Sequence, residues 1–269
     1  MMTPLMQQIA EAALEAGRIM KSADQEHLST INKEGHANFV TKYDMQVQRF
    51  LMEKLAAILP EAHFVGEENG QEVFLPEYKN GFTFVIDPID GTTNFMKAYR
   101  PSVTSIGLLK DGEPYLGVIY NPYTDQLYRA EKGLGAFEND RRITTSPVPL
   151  SDSLVSMGTA PYYGPEISRS AFEIGYWYLD KSIDIRRSGS AANDICMVAS
   201  GRTGLFFEPQ LGLWDYAAGA VILAEAGGQF CDMHGKPIPF TGKTSFLGVS
   251  GAIAGNGGYM PPEELMHGF

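Results

Sequence analysis

The sequence predicts a mixed α/β chain whose first half is an antiparallel β-meander preceded by helices and whose second half alternates strands with helices. Three observations carry that reading. Two apolar repeats at helical spacing precede a run of β-branched and aromatic segments separated by turn signals, and after residue 150 short strands and small-residue helices take turns. The 269 residues, 44% of them hydrophobic, can bury a substantial core in one large domain or two intimate halves. A change to Pro and Ser over residues 146–149 marks a boundary between halves of about 1–147 and 148–269.

In chain order, Leu5, Met6, Ile9, Ala13, Ala16, Ile19 and Met20 recur at helical spacing after Pro4 and predict an amphipathic helix. A polar loop follows. Thr41-Lys42-Tyr43-Asp44 then opens a second helix with Val47, Leu51, Leu55 and Ile58 on one face, stopped before Pro60. Asp44 suits its first turn, where an acid favours the dipole. Residues 63–66 are a short apolar strand that ends in Glu67 and Glu68, a pair that a Gly-bounded turn could simply leave in water.

Residues 82–86 read as a buried strand that runs into Asp87-Pro88-Ile89-Asp90-Gly91-Thr92-Thr93-Asn94. Pro88 has a fixed φ and no N–H, so an abrupt turn is expected there, with Asp87 extended and Asp90 folded back beside it. Two converging carboxylates repel unless one takes a proton or a divalent cation lies between them. Oxygen-only ligands suit Mg²⁺, with Mn²⁺ or Ca²⁺ as substitutes. Gly91 lets backbone approach a ligand, and Thr92-Thr93-Asn94 can start a short helix whose N–H groups face an anion. Adjoining cation and anion sites point to phosphate chemistry, although Asp-Pro-x-Asp-Gly alone also serves as a turn.

Residues 102–109 and 115–120 are strands joined by the hairpin signal Lys110-Asp111-Gly112-Glu113-Pro114, and Asn121-Pro122 turns the chain before a strand at 126–130. Strands at 154–157, 184–187 and 204–208 then alternate with helices at 168–178 and 191–199, the latter ended by Gly201. Residues 213–226 make a helix of small residues that must pack tightly and that Gly227 ends, with Asp215 at its N-terminus, a position where a carboxylate also serves as a cap. Three glycine-rich runs are discounted. Gly133-Leu134-Gly135 lies in a hairpin, Thr241-Gly242-Lys243-Thr244 has Pro237 where a phosphate-binding loop needs its first Gly, and Gly255 to Gly258 stands near the C-terminus.

A net charge of -11 and the absence of any basic run argue against a nucleic-acid backbone as resting partner. No window reaches the ~20 apolar residues of a membrane span and no signal-peptide core opens the chain, so a cytoplasmic protein is expected. Cys196 and Cys231 lack CxxC spacing and read as reduced structural thiols. The five His residues are scattered without HExxH, which argues against zinc.

Gly66-Glu67-Glu68, Asp87 through Phe95, and Trp214-Asp215-Tyr216-Ala217-Ala218-Gly219 resemble, in order and separation, the three signature motifs of the inositol monophosphatase family, within the lithium-sensitive, Mg²⁺-dependent phosphatases. Asn38-Phe39-Val40-Thr41, Asn121-Pro122, Gly189-Ser190-Ala191-Ala192 and Glu225-Ala226-Gly227-Gly228 add to the resemblance. It implies a single domain over 1–269 with a five-layered αβαβα fold, usually a homodimer, which hydrolyses a phosphate ester by in-line attack of an activated water. Glu67, Asp87 and the Ile89 carbonyl would hold one Mg²⁺ and Asp87, Asp90 and Asp215 a second, while Glu67 would touch a third, weaker ion. Thr92, hydrogen-bonded near Glu67, would orient the water and help deprotonate it, with Glu67 and Asp90 completing the catalytic set. N–H groups around Gly91, Thr92 and Thr93 would receive the phosphate. Glu208, seven positions before Asp215, would form a polyol pocket with Gly189, Ser190 and Ala191. The family commonly has a His-Arg pair after Asn94-Phe95, whereas Lys97-Ala98 and Tyr99-Arg100 stand here, which widens the range of substrates to weigh. Fructose 1,6-bisphosphate and 3'-phosphoadenosine 5'-phosphate are rivals within the same chemistry. A non-catalytic protein of this fold that serves transcription or RNA processing is the alternative from another class.

Overall fold

The computed structural model describes residues 3–23, 30–32, 39–68 and 73–268, so His27, Lys33, His36 and Asn38 lie outside the described residues. Thr3 caps α1 (Pro4–Lys21) by accepting the Met6 N–H at 3.2 Å. Strand β1 (Thr30–Asn32) pairs with β2 (Phe39–Thr41), and Thr41 then caps α2 (Lys42–Ile58). That cap is reciprocal: the Tyr43 N–H donates to the Thr41 hydroxyl at 3.1 Å, and Asp44 accepts the Thr41 N–H at 2.7 Å.

The larger sheet runs in spatial order β3 (His63–Gly66), β4 (Phe82–Asp90), β5 (Val103–Lys110), β6 (Glu113–Asn121), β7 (Gln126–Glu131), β8 (Gly135–Glu138) and β9 (Arg141–Ile143). Only β3 and β4 are parallel; the other neighbours are antiparallel. Asp111 and Gly112, at φ 52° and 80°, close the expected β5–β6 hairpin. Both faces of this sheet are covered, which is why β4 reads as one apolar run: Phe84 and Ile86 belong to the core under α1 and α2, and Val85 to the core on the opposite face.

The turn expected at Pro88 is a bulge instead. Asp87 pairs with Ser105 and Asp90 with Val103, so β4 carries one extra residue between them and continues to Asp90. A bulge asks no ladder donor of Pro88, which explains how a proline sits inside the strand. Helix α3 (Thr92–Met96) follows at once from Gly91, whose φ of 84° a Cβ would disfavour.

The smaller sheet has the order β11 (Asp184–Arg186), β10 (Leu154–Met157), β12 (Leu205–Leu211), β14 (Thr244–Val249), β13 (Gln229–Cys231), parallel on both sides of β10 and antiparallel on both sides of β14. Helix α4 (Pro165–Leu179) packs on its outer face, and α5 (Ala191–Ala199) and α6 (Leu213–Glu225) lie between the two sheets. The layers are therefore helix, sheet, helix, sheet, helix. Residues 241–243 lead into β14 and Gly255 lies in α7 (Gly251–Asn256), so neither run forms a strand–loop–helix phosphate motif.

The middle layer is packed closely against its neighbours. A Cβ on Gly117 of β6 would stand 2.3 Å from the Ala218 carbonyl oxygen of α6, and one on Gly107 of β5 would stand 3.0 Å from the Ala217 Cβ. On the flank toward α5, a Cβ on Gly219 would lie 2.8 Å from Ile195. Glycine at these places lets α6 settle against the larger sheet, and that fixes its N-terminus, with Asp215, at the end of β4.

Candidate functional site

The bulge in β4 does the first work. The Thr104 hydroxyl donates to the Pro88 carbonyl at 2.8 Å and the Ile89 N–H to Asp87 Oδ1 at 3.0 Å, so the irregular backbone is held from both sides. Asp87 and Asp90 are buried at its two ends. Across from them Asp215 occupies the third position of α6 and accepts the Gly212 N–H at 2.6 Å. Carboxylate oxygens of Asp87, Asp90 and Asp215 all lie within 4.8 Å of one another, a group that could hold a metal ion.

Glu67 reaches the same place from β3. Its N–H donates to the Ile86 carbonyl at 3.2 Å, and the turn is clamped by Gln48 of α2, which accepts the Glu68 N–H at 2.9 Å and donates to the Glu68 carbonyl at 2.6 Å. Gly66 is required by that clamp, since a Cβ there would meet Gln48 Oε1 at 2.7 Å. Glu67, the acid triad, Ile89, Gly91, Thr92, Thr93, Gly189, Ser190, Ala191 and Glu208 all line one cleft of about 320 Å³. Every site residue singled out in the sequence is thus placed together.

The cleft is strongly acidic. Burial, reinforced by the charge of Glu67, pushes Asp90 up to about 6 against the opposing hydrogen bonds from the Ser190 hydroxyl at 2.6 Å and the Ala192 N–H at 2.8 Å. Burial and the neighbouring Asp90, Glu67 and Glu208 hold Asp215 well above the ordinary range. An all-oxygen cluster that resists its own ionisation suits a hard divalent cation such as Mg²⁺, whose charge would reverse those shifts.

Thr92 stands at the start of α3, with its hydroxyl 3.1 Å from the Ile89 carbonyl and 3.2 Å from Asp44 Oδ1. Asp44 therefore has a second task beyond its cap, and burial carries it up to about 6. Opposite, Asn94 donates to the carbonyls of Pro101 at 2.6 Å and Ser188 at 2.9 Å, and a Cβ on Gly91 would lie 3.1 Å from the Gly189 carbonyl. The 91–93 turn is in this way locked against the 188–190 loop. Glu208 of β12 is buried on the far side, with Oε1 hydrogen-bonded to the Tyr163 hydroxyl at 2.7 Å; a Cβ on Gly158 would fall 1.9 Å from its Oε2. Burial raises Glu208 to about 8, and Asp194 of α5, bonded to Ser188 at 2.7 Å, to about 7.

Gln48, Tyr163 and Asp194 went unremarked in the sequence, and Asp44 was read only as a cap. Asp194, an acid inside the apolar helix 191–199, and Gln48, a polar residue beside Val47 and Leu51 on a buried face, carried a signal of a kind. Tyr163 carried none, because its partner lies 45 residues away.

Comparison with known proteins agrees with the geometry. The chain matches the family model described as "Inositol monophosphatase family" over residues 1–266. It is 38% identical over 231 residues to inositol monophosphatase 2 of Saccharomyces cerevisiae, covering 79% of this chain and 76% of that one. It is 36% identical over 251 residues to a fructose-1,6-bisphosphatase/inositol-1-monophosphatase of Aquifex aeolicus, covering 91% and 88%. Among solved structures, the extragenic suppressor protein suhB of Bartonella henselae superposes with a TM-score of 0.83 at 32% identity, covering 93% of this chain and 95% of that one.

Proposed function

Because the chain belongs to the inositol monophosphatase family, we propose that it is a Mg²⁺-dependent phosphomonoesterase that hydrolyses inositol monophosphate or a related polyol or sugar phosphate. The observation that carries this reading is the meeting of Asp87, Asp90 and Asp215 oxygens within 4.8 Å, in one cleft with the 91–93 turn.

Glu67, Asp87 and the Ile89 carbonyl are assigned to one ion, Asp87, Asp90 and Asp215 to a second, and Glu67 also to a third. When bound, Mg²⁺ supplies the charge neutralisation that a phosphate ester needs and acidifies the water that attacks it. The chain's own groups do the rest. The first-turn N–H groups of α3 and the Gly91 backbone receive the phosphate oxygens, since such groups have no partner within the helix. The Thr92 hydroxyl, held between Ile89 and Asp44, aligns the water in line with the leaving oxygen and passes a proton toward Asp44. Glu208, with Gly189, Ser190 and Ala191, meets the polyol. No covalent phosphoenzyme is required.

Phosphate release from inositol 1-phosphate, glycerol 2-phosphate, fructose 1,6-bisphosphate and adenosine 3',5'-bisphosphate, with Mg²⁺, EDTA or added Li⁺, tests this directly. Metal-dependent release led by the inositol ester, and inhibited by Li⁺, is expected. Release led by another ester would keep the metal cluster and discard the Glu208 assignment. No release from folded protein would favour a binding protein of this fold. The resemblance also implies a cytoplasmic homodimer, and light scattering on the purified protein checks its mass.

A further inference from the structure

Tyr163 has one hydroxyl proton and two acceptors. Its oxygen stands 2.7 Å from Glu208 Oε1 and also within hydrogen-bond reach of the Gln210 carbonyl, and neither an ionised carboxylate nor a carbonyl can donate. With Glu208 ionised, the phenol would satisfy one acceptor and turn a lone pair on the other. With Glu208 a carboxylic acid the set closes: the phenol donates to Gln210, and Glu208 Oε1 donates to the phenol oxygen.

Building on the reading in which Glu208 meets the polyol, we infer that Tyr163 holds Glu208 as a neutral acid in the free protein, so that the polyol end of the cleft offers an uncharged acceptor, Oε2, to a substrate hydroxyl. The surroundings favour that state. Glu208 is 7% exposed, and the absent side chain of Gly158 leaves the space that Oε2 fills. Asp90 from β4 and Asp194 from α5 oppose its ionisation, and Glu208 in turn opposes that of Asp215 on α6. Tyr162 and Tyr163 come from the turn before α4, and Arg187 after β11 is the one cation among the described residues of the cleft, with its guanidinium donating to the Thr159 carbonyl at 2.5 Å. Burial is the largest effect and Asp90 and Asp194 add to it, against Arg187 and against the bond that the phenol would donate to an ionised carboxylate; the Gln210 carbonyl competes for that same proton.

The consequence lies in substrate binding. A phosphate ester brings its own negative charge to a cleft that already holds Glu67, Asp87, Asp90 and Asp215. Cations at the cluster cancel those acids and leave Glu208 aside. As a neutral acid, Glu208 recognises a hydroxyl without repelling the phosphate; ionised, it would add one more like charge across the same cleft.

Infrared difference spectroscopy of wild type against Glu208→Gln, both saturated with Mg²⁺ at pH 7, reads the carbonyl stretch of a protonated carboxylic acid. The expected result is an acid band present in wild type, absent in Glu208→Gln, and displaced in Tyr163→Phe, which removes the acceptor. The band should vanish from wild type itself as the pH rises above 7, which keeps the test independent of whether either variant folds. Over the same range the KM for inositol 1-phosphate should rise about tenfold in wild type, a shift of about 1.4 kcal/mol, with no such rise in Glu208→Gln. No acid band attributable to Glu208 at pH 7 overturns the inference, and a titrating band with a flat KM overturns its role in recognition. A protein that releases phosphate from no ester would defeat the phosphatase reading, while the infrared result would still decide the state of Glu208.

Discussion

The middle helical layer and the cleft at its end are made from the same two helices by opposite means. Along α6, Ala217, Ala218 and Gly219 sit so close to Gly107, Gly117 and Ile195 that the packing leaves no room for a methyl group. A few residues earlier the same helix delivers Asp215 into a group of acids that repel one another and resist ionisation. The layer contributes stability and the cleft consumes some of it. The difference teaches that the rigid body of α6 exists in part to hold a carboxylate where the chain left to itself would not put one.

The largest expected effect comes from the cleft side of that comparison. Asp90→Asn keeps an oxygen that can accept from Ser190 and Ala192, and removes a charge that burial disfavours. Phosphate release should fall by about three orders of magnitude, whereas the melting temperature of the metal-free protein should hold or rise. Near-normal turnover would contradict the cation assignment, and a large loss of melting temperature would make Asp90 a structural residue. On the packing side, Gly117→Val drives a side chain into the Ala218 carbonyl and should cost about 3 kcal/mol in chemical denaturation. The kcat of its folded fraction should stay near wild type; a kcat that fell with stability would show that the two regions are not separable.

The cleft's cost should also be readable against pH. Asp90 is raised to about 6, Asp194 to about 7 and Glu208 to about 8, each chiefly by burial. The folded state therefore binds protons that the unfolded chain has already lost, so what these groups contribute to the stability of the metal-free protein is fully present below about pH 4 and declines as pH rises toward 8. Asp90 alone accounts for something on the order of 2–3 kcal/mol. Mg²⁺ should flatten the part of the decline that belongs to Asp90 and Asp215 and leave the part that belongs to Asp194. Thermal melts across that range with and without Mg²⁺ measure it, and a metal-free stability that rises with pH would contradict the sign.

Much of this was legible in the sequence because the signals are local. The Asp-Pro-x-Asp-Gly run, the β5–β6 hairpin and the small residues of α6 all announce themselves within a few positions. The end of β4 did not, because Pro88 breaks a strand in isolation and only pairing with β5 turns the break into a bulge. Asp44 showed its cap, made with Thr41, but not its bond to Thr92, 48 residues away. Tyr163 likewise gains its meaning from a residue on β12. Local propensity writes the elements and the motifs. The partners that tune each acid are set by tertiary packing, and no short window holds both members of such a pair.

Gln48 tests the comparison at its weakest point, because it belongs to both regions. Its side chain is buried among the packing residues of α2, yet both of its polar atoms bond the Glu68 backbone and so fix the turn that carries Glu67. Gln48→Leu keeps the volume and strands a buried N–H and carbonyl, which should cost about 2 kcal/mol of stability. If the turn also sets Glu67 against the cations, the Mg²⁺ concentration for half-maximal activity should rise about tenfold, equivalent to about 1.4 kcal/mol, while kcat at saturating Mg²⁺ recovers most of its value. A stability loss with unchanged Mg²⁺ dependence would confine Gln48 to packing and leave the two regions cleanly divided. A shifted Mg²⁺ dependence would make the buried face of α2 part of how the cation site is held.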